Sequence, residues 1–414
     1  MKLSQILRER GYVYQHSSET LEEITDGPKR TLYLGVDPTA DSMHVGQLMG
    51  MLVLRRFVDD GHKLIVVVGG GTGMIGDPGG KSAERNLLDN ETVERNSAAL
   101  RAQFSQLLGA VHFEMVNNAE WLRELNYMEF LRDIGKHFTV NEMIKRDTVR
   151  PRLETPDQSI SYTEFSYMLL QAYDFLELHK RYDCDLQVGG SDQWGNIISG
   201  VDLIRRKTGA KTYALSWPLL TDKAGKKFGK SEGNAIWLDP QKTSPFQFYQ
   251  FFFNIEDEMV EQLLWKMTMF TKEEIKRIVE GHSSTPGARY AQAMLAQAVT
   301  ALVHGVDVAR EINQLSQKLY SGNGWILDDE TRAAIQKLAP MHRVAESDNL
   351  LDVLVQVSLA TSKREARQFI QDGAISLNFS TVTDVSYSLQ ASDFREGFAH
   401  LRRGKRQVCV LTLS

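Results

Sequence analysis

Two short apolar runs, residues 31–36 and 64–68, flank an amphipathic stretch over 45–58. The runs are strand-sized, and the stretch between them repeats its apolar positions at helical spacing, so the pattern predicts strand, helix, strand. Further strand-like runs at 113–116, 185–188 and 213–215 alternate with helical patterns at 92–108, 163–182 and 193–206. Such alternation predicts an α/β architecture, a parallel sheet with helices on both faces and ligands bound beyond the carboxyl ends of the strands.

Beyond that region the period changes. From 245 to 339 the pattern turns almost wholly helical, with Phe246, Tyr249 and Phe252 on one apolar face and 290–303 forming another. A polar stretch over 341–349 precedes a third composition: an apolar run at 350–357, the basic segment from Lys363 to Arg367, and short β-like runs ending at 408–413. The expected organisation is an α/β domain over 1–240, a helical domain over 241–340 and a small module over 349–414. There is no internal repeat and no low-complexity tract.

Composition narrows the class without deciding it. The 414 residues, 42% hydrophobic and 24% charged, describe a folded multidomain chain. With 48 basic against 53 acidic residues the net charge is -5, so contact with nucleic acid requires a local basic surface. Only Cys184 and Cys409 are present, too few and too far apart for a zinc site or a disulfide framework, which fits a reducing compartment. Charges at Arg8, Glu9 and Arg10 interrupt any signal-peptide core, and no apolar run approaches the ~18 residues of a membrane span. A cytoplasmic protein is expected.

Five segments carry candidate chemistry. The first, Asp37 to Gln47, lies between strand and helix, where Ser42 is a good cap and His44, Gly46 and Gln47 fall in the first turn; free N–H groups there suit an anion such as a triphosphate. An ordinary capped helix with a surface histidine satisfies the same residues. The second, Gly69 to Asp77, contains Gly71-x-Gly73-x-x-Gly76, formally a dinucleotide fingerprint. Pro78 and the glycines after it break the helix which that fingerprint needs, so the glycines are better read as close backbone approach, with Asp77 offering a carboxylate to an ammonium group. The third places Tyr167, Gln171 and Asp174 at i, i+4 and i+7 of one helix, either a recognition face or a solvated one. In the fourth, Gly189 to Asn196, Asp192 can accept from sugar hydroxyls and Gly190 lets a ribose lie on backbone; a plain strand-to-helix turn is the alternative. The fifth, Lys223 to Gly233, has four lysines and three glycines that could close over a leaving pyrophosphate, or form a solvated turn.

Together, and in this order, the segments resemble the bacterial-type tyrosyl-tRNA synthetases of class I. His44-Val45-Gly46-Gln47 is similar to the class signature His-Ile-Gly-His, and Lys227-Phe228-Gly229-Lys230-Ser231 to Lys-Met-Ser-Lys-Ser. Gly189 to Asn196 and Phe165 to Asp174 are the strings most specific to the family. The resemblance implies a Rossmann-like catalytic domain, a helical anticodon-binding domain and a small α+β RNA-binding module of the kind shared with a ribosomal protein. It implies two steps: formation of tyrosyl-adenylate from tyrosine and ATP, then transfer to tRNA(Tyr), with Mg2+ brought by ATP and no protein-bound metal. By motif, Tyr33 and Asp174 hold the phenolic hydroxyl, Tyr167, Gln171 and Asp77 the ammonium group, and Gln193 lies near the carboxylate. Asp37, Gly46, Gly190 and Asp192 face the nucleotide; Thr39, His44, Lys227 and Lys230 act on its phosphates. Gln47 stands where the family commonly has a second histidine, and can donate an N–H but carry no charge. Lys363, Arg364 and Arg367 on one helix, with Arg402, Arg403, Lys405 and Arg406, suit an RNA backbone. A homodimer through helices around 127–162 is also implied. Outside this reading stand an RNA-binding protein that keeps the shape without catalysis, a dehydrogenase, and a tryptophan-specific relative.

Overall fold

The computed structural model describes residues 1–77, 89–109, 111–146, 149–155, 159–223, 225–231, 234–320, 329–339, 341–404 and 407–413. These divide into two units, residues 1–238 with Trp265–Met267, and residues 239–264 with 268–414.

The first unit is built on a six-stranded sheet in the order β1-β6-β5-β2-β3-β4. Its strands are β1 (Gln15–His16), β2 (Thr31–Val36), β3 (Lys63–Val68), β4 (Glu114–Asn117), β5 (Leu186–Gly190) and β6 (Tyr213–Trp217). All neighbours are parallel except β1, which runs antiparallel along β6, and β7 (Lys230–Ser231) and β8 (Asn234–Ala235) form a separate antiparallel pair. The near-continuous apolar runs in β3 and β6 follow from burial on both faces. The order reverses between β2 and β5, and there the carboxyl ends of the strands open a cleft.

Helix Val45–Asp59 follows β2, as its periodicity predicts, but its cap differs from the expected Ser42. His44 is the N-cap: its Nδ1 accepts from Gly46 N–H at 3.1 Å while Gln47 Oε1 accepts from His44 N–H at 3.0 Å. Ser42 is occupied elsewhere, donating to Met43 O at 2.8 Å and accepting from Gln103 at 2.9 Å. Helix Tyr162–Tyr182 begins with a reciprocal cap between Ser161 and Glu164, and Glu164 forms a buried 2.9 Å ion pair with Arg152. After Gly69 the chain makes only a short 3-10 turn, Thr72–Met74, with no helix opening on the glycines. Residues 78–88, on which the helix-breaking argument rests, lie outside the described residues.

The second unit opens with helices, among them Pro245–Phe253, Tyr290–His304 and Val306–Tyr320. Tyr249 donates to Asn313 at 2.9 Å and Gln250 to Ser316 at 2.9 Å across that bundle. The unit continues into a five-stranded sheet ordered β11-β10-β12-β13-β9. Its antiparallel members are β10 (Ile375–Leu377), β11 (Ser380–Thr381), β12 (Phe398–Arg403) and β13 (Gln407–Leu413), with β9 (Met341–Val344) parallel to β13. The sheet therefore takes in part of the stretch expected to be a polar connection before 349. Met341-His342-Arg343-Val344 has too little apolar period to read as a strand, and only pairing with β13 makes it one. Helices Leu350–Gln356 and Lys363–Gln371 cover an apolar core that includes Leu354, Ile370, Leu401 and Leu411. No helix of the described residues is long and apolar enough to cross a membrane.

Candidate active site

The cleft beyond the strand ends has a volume of about 330 Å³ and is lined from β2, β3, β5, the helix Val45–Asp59 and the helix Tyr162–Tyr182. Tyr33, Asp77, Tyr167, Gln171, Asp174 and Gln193 all line it. So do Asp37, Thr39, His44, Gly46, Gln47, Gly190, Asp192 and Lys227. Residues spread over nearly two hundred positions of sequence are thus gathered around one space. Of the predicted residues of this region only Lys230 cannot be placed: its backbone is in a short strand, Lys230–Ser231, and its side chain lies outside the described residues.

At the deep end, Asp174 is 4% exposed. Its Oδ1 accepts from the Trp121 indole N–H at 2.7 Å and its Oδ2 from Asn118 at 2.9 Å. Burial pushes the Asp174 carboxyl up to about 7 even though these two donors favour its charged form; Asp37 adds to the rise. Beside it the Tyr33 hydroxyl is buried with no hydrogen-bond partner. Burial first, then the neighbouring Asp174, holds the Tyr33 phenol protonated far into the alkaline range. An unpartnered buried hydroxyl costs stability until something bonds to it. This end of the cleft is therefore a socket for a polar group at the tip of an apolar body.

The helix face proves to be a lining face. Tyr167 donates to Asp37 at 3.2 Å, and Asp37 also accepts from Thr72 at 3.1 Å. Burial, then Asp37 and Asp77, keep the Tyr167 phenol well above its ordinary value. Gln193 donates to Asp77 at 2.6 Å. Two carboxylates, Asp37 and Asp77, thus stand around Tyr167 in the cleft, an arrangement that favours a cationic group.

The outer end joins the two signature strings. A Cβ on Gly46 would meet Phe228 O at 3.0 Å, and Gly229, at φ +76°, lies against Val45, so glycine at these two positions permits the lysine segment to close on the helix N-terminus. Lys227 Nζ lies 3.3 Å from Asp192 Oδ2. His44 Nδ1 accepts a backbone N–H, which leaves Nε2 to carry the proton of the neutral ring. Among the described residues no group of three or more His, Cys, Asp or Glu is arranged to hold a metal ion.

Comparison with known proteins identifies the family. Residues 25–321 match the family model of class I tRNA synthetases (W and Y), and residues 330–411 match that of the tyrosine–tRNA ligase SYY-like C-terminal domain. The chain is 45% identical to tyrosine–tRNA ligase 2 of Enterococcus faecalis, over 98% of both chains, and 46% identical to tyrosine–tRNA ligase 1 of Bacillus licheniformis, over 97% of both. The chain belongs to the tyrosine–tRNA ligases. Among solved structures, a C-terminally truncated mitochondrial tyrosyl-tRNA synthetase of Aspergillus nidulans superposes with a TM-score of 0.69 at 32% identity, covering 77% of this chain and 94% of its own. A tryptophanyl-tRNA synthetase of Encephalitozoon cuniculi shares the fold alone, with a TM-score of 0.53 at 17% identity, covering 80% and 92%.

In this ligase, Asn118, Trp121 and Thr72 are lining or supporting residues that sequence reasoning did not single out. Asn118 follows β4, whose carboxyl end lies one residue beyond the expected 116, so the rule that ligands gather beyond strand ends points to it. Thr72, inside the glycine string, donates to Asp37 and accepts from Asn118, contacts that no local pattern signals. In the small module, Lys363, Arg364 and Arg367 are exposed on their helix. Arg403 instead turns inward, donating to Leu359 O at 2.6 Å with its guanidinium 4.5 Å from the Phe369 ring centre. Arg402 lies over Phe379, and Lys405 and Arg406 are outside the described residues.

Proposed function

We propose that this chain activates L-tyrosine with ATP and then charges tRNA(Tyr). The tyrosine carboxylate attacks the α-phosphorus and pyrophosphate leaves; a hydroxyl of the terminal tRNA ribose then attacks the acyl carbon and AMP leaves. Positioning and charge stabilisation suffice for both transfers, so no protein nucleophile is needed.

The observation that carries this reading is the pairing of Asp174 with the unpartnered Tyr33 hydroxyl at the buried end of the cleft. A tyrosine phenol placed there donates to Asp174 and satisfies Tyr33. Phenylalanine leaves both polar groups buried and unmatched. Tyr167, Gln171, Asp77 and Asp37 then receive the ammonium group, and Gln193 lies near the carboxylate. Asp37, Gly190 and Asp192 face the adenosine and Gly46 lets the phosphates approach closely, while Thr39, His44, Gln47, Lys227 and Lys230 donate to the phosphates as charge develops on them. Mg2+ arrives with ATP. Lys363, Arg364, Arg367, Arg402 and Arg403 serve the tRNA backbone, Arg403 chiefly by holding the module together. Residues 1–240, 241–340 and 349–414 divide the work into catalysis, anticodon contact and general RNA contact, with β9 added to the last. A cytoplasmic location belongs to the same reading.

A homodimer is supported by one stretch of the chain. The exposed large apolar residues Tyr127, Met128, Val140, Ile144, Leu153 and Tyr162 all fall within 127–162 of the catalytic unit.

Pyrophosphate exchange into ATP without tRNA, run in parallel with tyrosine, phenylalanine, tryptophan and no amino acid, tests the activation step. Exchange with tyrosine alone supports the reading, and exchange with tryptophan or with none of them overturns it. In the same assay Asp174→Ala should reduce the preference for tyrosine over phenylalanine at least tenfold, the equivalent of ~1.4 kcal/mol.

A further inference from the structure

Residues 236–238 join the two signature segments to each other. Ile236 N–H donates to Gly229 O at 3.1 Å, inside the lysine string, and Ile236 O accepts from Val45 N–H at 2.8 Å, at the start of the helix. Leu238 N–H donates to Met43 O at 2.9 Å, so Trp237 is bridged to His44 in antiparallel register. That register sets the Trp237 indole and the His44 imidazole in a T-shaped pair, with centroids 6.2 Å apart and planes at 75°. This is the favoured T-shaped geometry for two rings. Trp237 is half-buried and is not among the residues lining the cleft, whereas His44 is. The imidazole is thus held at its Nδ1 by Gly46 N–H and at its ring by Trp237.

We propose that Trp237 is a positioning residue for adenylation, fixing the His44 ring so that its Nε2–H is presented to the nucleotide phosphates. This rests on the tyrosine-activation reading above. A donor that must meet charge only as it develops gains from being immobile beforehand, so the loss of Trp237 should appear in kcat and leave substrate affinity nearly unchanged.

The test is a double-mutant cycle on the full chain, read by tyrosine-dependent pyrophosphate exchange. Trp237→Leu should lower kcat about fivefold to tenfold, with KM for ATP and for tyrosine within twofold; Trp237→Phe, which keeps an aromatic edge, should restore most of the rate. In a His44→Ala background, Trp237→Leu should have no further effect on kcat. Should Trp237→Leu fail to fold, the smaller deficit of Trp237→Phe is carried through the same cycle. An undiminished effect in the His44→Ala background, or a change mainly in KM, overturns the proposal. Exchange by the unsubstituted chain with variants that match it overturns the positioning role alone, whereas no exchange by the unsubstituted chain overturns the activity and this role with it.

Discussion

Asp174 shows what a single buried residue contributes. Its carboxyl titrates near 7 in the folded chain and near 4 when unfolded, so between those values the folded state holds a proton that the unfolded state has lost. Stability from this group is therefore complete below pH 4 and falls as pH rises toward 7. Asp174→Asn, neutral throughout, should lack that loss: relative to the variant, the ligand-free protein should weaken by about 3 kcal/mol between pH 5 and pH 8 in denaturant titrations. Identical pH profiles would mean that Asp174 is already ionised at pH 5. Gln47 bears on the opposite end of the cleft. It is exposed at the cleft mouth and its Oε1 is engaged by His44 N–H in the helix cap. Gln47→His should change the adenylation rate by less than about tenfold, and a hundredfold change in the exchange assay would show that this position does more than cap. Both residues were readable because each sits in a string with family-specific order. Asp174 in isolation was not, since three polar groups on one helix face fit solvent as well as a pocket.

At the level of elements, the cleft depends on how the helix Tyr162–Tyr182 is started. Arg152 and Glu164 form an ion pair whose side chains are 8% and 4% exposed, and Glu164 also closes the helix cap with Ser161. Removing one member leaves a buried charge alone, so Arg152→Met should cost about 3 kcal/mol in urea unfolding, whereas a loss under 1 kcal/mol would mean that the charge is relieved by water. The strands and helices of the catalytic unit were largely legible, because apolar runs and helical periods are local signals. Their mutual supports were not. Nothing near Trp121 or Asn118 indicates that they would meet Asp174, more than fifty positions later, and the cap at His44 in place of Ser42 was decided by where Gln103 arrives. Long-range contacts select among local options that the sequence leaves equal.

Taken whole, the chain carries a net charge of -5 yet displays Lys363, Arg364 and Arg367 together on one exposed helix. Converting all three to Gln should weaken tRNA binding and make the log–log dependence of affinity on salt shallower by about two units, measured by filter binding across a salt series. An unchanged slope would place the RNA contact elsewhere. The changes of period predict three parts, whereas the described residues divide into two units, and β9 was not readable as a strand because it reads as polar. That same plainness has a consequence during synthesis. The parallel partner of β9 is β13, which leaves the ribosome only after everything between them has been made. Until then β9 waits as a lone strand with open backbone groups, the condition in which nascent chains stick to one another. A more apolar segment would be an adhesive; Met341-His342-Arg343-Val344 is polar enough to wait in water and still close the sheet when β13 arrives.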